Sequence, residues 1–411
     1  MDRLSMRSGY RPPAWDDPEL GKPRGDASTL FNLRLPGEDD PRRQEVRSWL
    51  LENPDPTPLE LYEAGYMVPA WPAPYGRGAS GTEVLIIDEE LRNAGIVRPE
   101  QGQRVRGYIG PLILNHGTPE HIEKYLVRML SFQDRWCQLF SEPDAGSDLA
   151  SLTTRAELHG DHYLVNGAKT WSSGADHSEY GLLLARTSRG DRKHQGISLF
   201  ILDMSAPGIQ LDPVYNVNGH RGWNITYLDD VRIPVENRIG AQDEGWAITR
   251  NVLANERLSM SSLAGLIWGM GPTFEDLVTY ARQLHEVQPL AHDVRERLAQ
   301  GFIEATALHV MRMQALGTVA QARSTDLVPE VRRTLIDDNG QSMLELWRDL
   351  HGASGVLNRP PHLDDSPDAS PVLTDAFTEA YPRSRVVTIG GGTGEIQRNI
   401  LAEYVLGLPR H

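Results

Sequence analysis

Hydrophobic and polar positions along the chain change texture twice. Over residues 41 to 135, apolar residues recur every three or four positions, as in "TPEHIEKYLVRMLS", and this spacing is typical of amphipathic helices. Thr118 can cap that helix and Pro119 suits its first turn. The first region is therefore predicted to be helical.

Past Cys137 the pattern becomes strand-like. The runs "YLVNGAKTW", "YGLLLARTS", "GISLFILDM" and "WNITYLDDVRIP" are short, are separated by Gly and Pro, and include a turn at His159-Gly160-Asp161. After Gly240 the helical spacing returns. The pattern predicts an α+β multidomain fold with an N-terminal helical domain, a middle antiparallel β domain and C-terminal helices.

The domain boundaries follow from these changes. The chain has 411 residues, and a single core rarely grows beyond about 300 residues. Residues 1–40 are rich in Pro, Gly and charge and are predicted to be an extended arm. The predicted domains are 41–136 (helical), 137–240 (β) and 241–411 (helical), with a surface insertion at 357–373.

Composition and charge narrow the function classes. The net charge of −15 argues against nucleic acid or an anionic membrane surface as partner. A single cysteine, Cys137, excludes an intrachain disulfide and fits a reducing compartment. We expect no membrane span, because uninterrupted apolar runs of about 18 residues are missing. With no apolar run near its first residue, the chain is predicted to be cytoplasmic. No metal site is predicted.

Two polar segments in the β region are candidates for ligand binding. "FSEPDAGSDLASLTT" offers the hydroxyls of Ser141 and Ser147 and could cradle a polar ring or a phosphate; alternatively it is a polar connection between domains. Trp171 is followed by Ser172 and Ser173, a combination that suits a planar heteroaromatic ligand. The alternative is a tryptophan that packs against the sheet.

An acidic residue lies on an apolar stripe after the β region. In "WAITRNVLANERLSMSSLAGLIWGM", Glu256 shares one helical face with Val252, Met260, Leu263 and Ile267. Burial would raise the pKa of this carboxyl toward the range of a general base. The alternative is a structural ion pair with Arg250 or Arg257.

Three consecutive glycines, 390 to 392, precede the last helix, which Thr393 can cap. Such a turn brings backbone N–H groups close to a ligand and supplies no side chain for chemistry. With the helix dipole behind it, the turn is predicted to bind an anion or a carbonyl group. Any reactive side chain must come from elsewhere.

Taken in order, "SEPDAGSD", "YLVNGAKTW" and "GTGEIQRNILAEYVLGLPR" resemble the acyl-CoA dehydrogenase family, over residues 41 to about 410. The resemblance implies a C-terminal four-helix bundle, FAD between the β domain and this bundle, and a homotetramer. It also assigns cofactor contacts residue by residue. These are Gln138, Phe140 and Ser141 along the flavin ring, Trp171, Ser172 and Ser173 on its other side, Ser147 near the FAD phosphates or the CoA moiety, Gly352 and Ala353 toward FAD of a neighbouring subunit, and Thr393 and Glu395 in the last helix.

The same resemblance indicates which residue is the base. Many members have "IYEGT" where this chain has residues 389–393, so their catalytic glutamate would fall on Gly391. In a branch similar to isovaleryl-CoA dehydrogenase the base comes from an "ER" pair in the helix after the β domain, here Glu256-Arg257. We therefore expect Glu256 to be the base. The predicted substrate contacts are Ser147, Arg257, Gly391 and Gly392.

The resemblance implies α,β-dehydrogenation of an acyl-CoA to a trans-2-enoyl-CoA, with hydride transfer to flavin N5. An electron-transfer flavoprotein would accept the electrons, within fatty-acid or other lipid metabolism. Two alternatives are a flavin monooxygenase or oxidase on the same fold, and a non-catalytic FAD-binding subunit. The chain is expected to form a homodimer or homotetramer. A mixed oligomer is the alternative, because only Arg282, out of register, stands near the position of the family's intersubunit arginine.

Overall fold

The computed structural model describes most of the chain. The described residues are 36–96, 105–250, 252–253, 272–320, 328–352 and 372–409. The predicted arm lies almost entirely outside them, and so does most of the predicted insertion at 357–373.

The N-terminal region is helical, as the spacing predicts. Side chains that accept hydrogen bonds from the first turn mark several helix starts, among them Asp40, Thr57, Ser80 and Thr118. Thr118 accepts from the His121 N–H at 3.3 Å, and Pro119 takes the first position, which confirms the predicted cap. The helices are Pro41–Glu52 (α1), Pro58–Glu63 (α2), Gly81–Asn93 (α3), Gly110–His116 (α4), Pro119–His121 (α5) and Val127–Leu130 (α6), with π-helical turns at Val105–Ile109 and Ile122–Leu126.

A buried charge cluster fastens α1 to α3. Glu90 accepts hydrogen bonds from Arg43 at 2.5 Å and from Arg47 at 2.7 Å. Burial alone would raise the pKa of Glu90, but the two guanidinium groups outweigh this effect and lower it. The pairing satisfies a carboxylate that is almost fully buried.

The middle region is one eight-stranded sheet. Seven strands follow the order β6-β7-β3-β2-β4-β5-β8, and β1 pairs with β4. All pairings along this path are antiparallel except the short β2–β4 bridge, and β1–β4 is parallel. The strands are Trp136–Leu139 (β1), Arg155–His159 (β2), His162–Lys169 (β3), Tyr180–Arg186 (β4), Ile197–Asp203 (β5), Ile209–Tyr215 (β6), Arg221–Pro234 (β7) and Arg238–Ile239 (β8).

Turn residues separate the strands of the sheet, as at Gly160-Asp161 between β2 and β3. His159 pairs with His162 across Gly160-Asp161, which confirms the predicted hairpin. Gly160 has a φ of +64°, a conformation that glycine adopts without strain. The strands β4 and β5 are buried along nearly their whole length, so their sequences are continuous apolar runs, unlike the alternating β3.

The C-terminal region is again helical. Its core contains Trp347 and Phe377, whose rings stack with centroids 5.4 Å apart. The β6–β7 hairpin reaches this region, since Asn218 Nδ2 donates to the Glu379 carbonyl at 3.0 Å. The described helices are Phe274–Val287 (α7), His292–Ala320 (α8), Val328–His351 (α9), Val372–Arg383 (α10) and Gly394–Ile400 (α11), with a π-helical turn at Leu401–Val405.

The predicted fold class is confirmed: helices, a sheet and helices follow one another in the expected order. None of the described helices is both long and apolar enough to cross a membrane.

Candidate functional site

A buried ion pair locks together the two polar segments of the β region. Lys169, at the end of β3, is fully buried, and its Nζ donates to Glu142 Oε1 at 2.9 Å and to the Phe140 carbonyl at 3.0 Å. Glu142 also accepts from the backbone N–H groups of Thr153 at 2.7 Å and Thr154 at 2.8 Å. The loop that begins at Phe140 is therefore tied to β3 from inside.

The pair shifts both pKa values. Burial alone would raise the pKa of Glu142, but the charge of Lys169 and the hydrogen bonds from Thr153 and Thr154 outweigh it and lower the pKa to about 2. Burial lowers the pKa of Lys169 to about 8, although Glu142 opposes this shift. At neutral pH both groups are charged, so Glu142 and Lys169 form an ion pair. This pair is called the Glu142–Lys169 clamp below.

The predicted flavin contacts of the first loop lie around this clamp. Gln138 is half-buried in β1, Phe140 is buried and Ser141 is half-buried. The Ser141 carbonyl accepts from the Thr170 N–H at 2.9 Å, so the backbone of this loop runs directly beside the turn that follows β3. Ser147 is exposed on the same loop.

The turn after β3 presents an indole to the outside. Trp171 is 59% exposed and has a φ of +59°, a strained conformation for a residue other than glycine. Its ring meets Trp223 edge to face with centroids 5.9 Å apart. The alternative interpretation, in which Trp171 is buried against the sheet, is therefore wrong.

Hydrogen bonds to β7 fix the rest of this turn. The Ser172 N–H donates to the Asn224 carbonyl at 3.0 Å, and the Asn224 N–H donates back at 3.2 Å. Ser172 is fully buried, and its Oγ has no partner among the described residues. Ser173 is half-buried next to it. The turn is thus a rigid platform for Trp171.

The second group of predicted residues surrounds the glycine corner, residues 389–393. Gly391 has a φ of +67° and Gly392 a φ of +95°, values that other residues rarely adopt. Thr393 caps α11 by accepting from the Ile396 N–H at 3.2 Å, as predicted. Glu395 is exposed in the first turn, and backbone and Thr393 hydrogen bonds lower its pKa.

Two buried side chains support the glycine corner. Arg333, on α9, is fully buried and donates to the carbonyls of Val387 and Gly390, each at 2.9 Å. It also pairs with Asp337 one turn further along the same helix. Burial raises the pKa of Asp337 to about 7, with Arg333 opposing the shift. Gln397, on α11, donates to the Gly391 carbonyl at 3.4 Å.

Three predicted site residues lie outside the described residues: Glu256, Arg257 and Ala353. Gly352 is described and exposed at the end of α9, with a φ of +60°. The other predicted residues form two groups in the structure. The β-region group consists of Gln138, Phe140, Ser141, Ser147, Trp171, Ser172 and Ser173, and the glycine-corner group consists of Gly391, Gly392, Thr393 and Glu395.

The β-region group fits a flavin. An exposed indole on a rigid turn gives a flat apolar surface for a ring system, and half-buried serine hydroxyls lie beside it on both segments. Among the residues that the structure describes, no cluster of His, Cys, Asp and Glu could hold a metal ion.

Sequence reasoning missed the clamp and the arginine support. Lys169 carried a signal, because it falls on the same phase of β3 as the buried Tyr163 and Val165. A lysine in that phase needs a buried anion. Glu142 carried no such signal, since it lies in a loop. Arg333 reaches carbonyls more than 50 residues away in sequence, which no local pattern reveals.

Helices before and after a middle sheet, with two polar loops on that sheet and a glycine corner before the last helix, are the features of an acyl-CoA dehydrogenase fold. Family comparison agrees. Residues 137–231 match the model of the acyl-CoA dehydrogenase middle domain, and residues 243–406 match that of the C-terminal domain.

Individual relatives show the family. Over 400 residues the chain is 32% identical to acyl-CoA dehydrogenase IpdE1 of Mycobacterium tuberculosis, covering 94% of each protein. It is 36% identical to acyl-CoA dehydrogenase FadE34 of the same organism over 352 residues, or 86% of this chain. The chain spans about half of FadE34, 46% of its length. The chain belongs to the acyl-CoA dehydrogenase family.

Solved structures agree with this assignment. A structure described as "Tcur3481-Tcur3483 steroid ACAD" superposes with a TM-score of 0.73 at 28% identity, covering 90% of this chain and 97% of that one. The ChsE4-ChsE5 complex from Mycobacterium tuberculosis gives a TM-score of 0.70 at 27% identity, with the same coverage of both chains.

Proposed function

We propose that this protein is an FAD-dependent acyl-CoA dehydrogenase that converts an acyl-CoA to its trans-2-enoyl-CoA. The observation that carries the proposal is the Glu142–Lys169 clamp. It holds the loop of Phe140 and Ser141 against the turn that presents Trp171, and these are the segments that the family resemblance assigns to the flavin.

The cofactor would be held mainly by the β-region group. Trp171 supplies an aromatic surface, Ser141 and Ser173 supply polar groups beside it, and Thr393 and Glu395 approach from the last helix. When bound there, FAD supplies an acceptor for the hydride that leaves the β carbon of the acyl chain.

Residues of the chain itself remove the proton and bind the carbonyl group of the substrate. Glu256 removes the proton from the α carbon, because Gly391 stands where other members carry their glutamate. The N–H groups of Gly391 and Gly392 hold the thioester oxygen, on which negative charge develops as that proton leaves. Arg257 and Ser147 contact the rest of the substrate.

The substrate class is proposed to be a bulky, ring-bearing acyl-CoA. Support comes from the superposed structure, which is described as a steroid acyl-CoA dehydrogenase, at 28% identity. An electron-transfer flavoprotein is the proposed electron acceptor. The assembly is proposed to pair this chain with a paralogous subunit, because the ChsE4-ChsE5 structure is described as a complex of two differently named proteins.

Anaerobic bleaching of the bound flavin by a panel of acyl-CoAs tests the proposal. We expect bleaching with ring-bearing acyl-CoAs. Glu256→Gln should keep its FAD and lose the bleaching rate by several orders of magnitude, since base catalysis and substrate positioning are both lost. The matched control is Glu286→Gln, which removes an exposed acid from α7 and should leave the rate unchanged.

Other outcomes would contradict parts of the proposal. Near-normal bleaching by Glu256→Gln would refute the choice of base. Rapid reaction of the reduced enzyme with oxygen would favour an oxidase or monooxygenase. A chain that binds FAD alone or with its partner but is never bleached would favour a non-catalytic subunit.

A further inference from the structure

We propose that Arg333 and Gln397 are positioning residues that orient two adjacent peptide planes, so that Gly391 and Gly392 present their N–H groups together to the thioester oxygen. The inference rests on the proposed function, since that function supplies the ligand. It adds that the side chains of Arg333 and Gln397 fix the directions of the Gly391 and Gly392 N–H groups.

Arg333 sets the first peptide plane. Its guanidinium group donates to the Gly390 carbonyl at 2.9 Å and to the Val387 carbonyl at the same distance. In a trans peptide the carbonyl of one residue and the N–H of the next point in opposite directions. The N–H of Gly391 therefore points away from Arg333 and from α9.

Gln397 sets the second plane in the same way. Its Nε2 lies 3.4 Å from the Gly391 carbonyl, so the N–H of Gly392 points away from Gln397. The side chain is 1% exposed, and its Oε1 meets no partner among the described residues. An unsatisfied buried acceptor is costly, so other contacts must hold the amide in this place.

Gly392 provides the space for that amide. A Cβ atom at Gly392 would lie 2.6 Å from Gln397 Nε2, which is closer than real contacts allow. A side chain at this position would push the amide of Gln397 away from the Gly391 carbonyl. The chain keeps both a residue without a side chain and a buried amide directly beneath it.

The two N–H groups are available to a ligand. Within the described part of the chain, neither Gly391 nor Gly392 donates to a backbone or side-chain acceptor. Each N–H points away from the side chain that holds the carbonyl of its own peptide plane, and both residues are half-buried. Preorganised donors of this kind stabilise a developing oxyanion, and losing one such donor costs roughly a hundredfold or more in rate.

Gln397→Met tests the idea, because methionine keeps the volume and removes the donor. The matched control is Gln341→Met, since Gln341 Nε2 donates to the Ser384 carbonyl at 3.1 Å, outside the glycine corner. We expect Gln397→Met to lower kcat by about tenfold to a hundredfold with unchanged FAD content, and Gln341→Met to stay within about twofold. Arg333→Lys, which keeps the charge beside Asp337, should act in the same direction as Gln397→Met.

A spectroscopic measurement separates positioning from general support. The carbonyl stretch of a bound enoyl-CoA product should move to higher frequency in Gln397→Met and stay in place in Gln341→Met, because weaker hydrogen bonding stiffens the carbonyl. Equal rate losses in both variants, or an unmoved carbonyl stretch, would overturn the inference and leave Gln397 as a space-filling residue.

Failure of the proposed function gives a different result. In that case no acyl-CoA bleaches the flavin of the unmodified protein. Crystal structures of Gln397→Met and Gln341→Met then decide the positioning claim. A Gly391 carbonyl that has turned in Gln397→Met alone supports it, and unchanged peptide planes in both variants refute it.

Discussion

The Glu142–Lys169 clamp predicts a large loss of stability when one partner is removed. Glu142→Gln takes away the anion while Lys169 remains fully buried. Breaking a buried pair in this way typically costs about 3–5 kcal/mol. We expect a loss of that size in the free energy of unfolding, together with weaker FAD binding, because the two segments of the β region lose the ion pair between them while the Ser141–Thr170 backbone bond remains.

The two pKa values show how the stability of the fold depends on pH through Glu142 and Lys169. The pKa of Glu142 falls from 4.5 to about 2, which stabilises the fold by about 3 kcal/mol above pH 4.5 and is lost as the pH falls toward 2. The pKa of Lys169 falls from 10.5 to about 8, so this group costs about 3 kcal/mol below pH 8, and the cost disappears as the pH rises toward 10.5. Both figures include the same attraction between Lys169 and Glu142, so they are not added; at pH 7 this attraction opposes the cost of burying the two charges.

Urea denaturation of the FAD-loaded protein at pH 7 checks the prediction. Asp148→Asn is the matched control. Asp148 lies in the same loop as Glu142 and pairs with Lys193 at 2.6 Å, but both of these side chains are about half exposed. It should lose less than about 1 kcal/mol. The double variant Glu142→Gln/Lys169→Met should regain about 2 kcal/mol relative to Glu142→Gln. If Glu142→Gln loses no more than Asp148→Asn, the reasoning is wrong.

Two further predictions concern the N-terminal helices and the glycine corner. Glu90→Gln should lower the free energy of unfolding by about 3 kcal/mol, because Arg43 and Arg47 lose the buried carboxylate that they share and Arg43 keeps only the more exposed Glu89. Glu89→Gln should lose less than about 1 kcal/mol, because the buried Glu90 remains. Gly392→Ala should destabilise by about 1–3 kcal/mol, since the residue has a φ of +95° and a close neighbour, whereas Gly146→Ala meets open space and should change stability by less than about 0.5 kcal/mol. Urea denaturation measures both pairs, and equal effects within either pair would contradict its explanation.

Features set by neighbouring residues could be predicted from the sequence. The caps at Thr118 and Thr393 and the hairpin from His159 to His162 each depend on a few adjacent positions, and all three are confirmed. The order of helices and strands follows from local periodicity and is confirmed as well. Strand β1 was missed because its four residues are paired in parallel with β4, some 44 positions away, and they show no pattern of their own.

The chemistry of the site was harder to predict from the sequence. The glycine corner was found because three glycines before a capped helix have a local meaning. Its supports, Arg333 and Gln397, act at a distance and were not found. The roles of Glu256 and Arg257 stay predictions, because both residues lie outside the described part of the chain. The cofactor contacts and the domain boundaries also stay predictions.

A corner made of glycine backbone restricts how this enzyme can diversify. Gly391 and Gly392 offer a ligand only main-chain atoms, and their conformations are closed to most other residues. If the corner binds the thioester oxygen as proposed, point substitutions there would damage carbonyl recognition and could not retune it for a different acyl group. On that proposal, new acyl specificities would arise from other residues that contact the acyl chain, while the main chain of the corner stays the same.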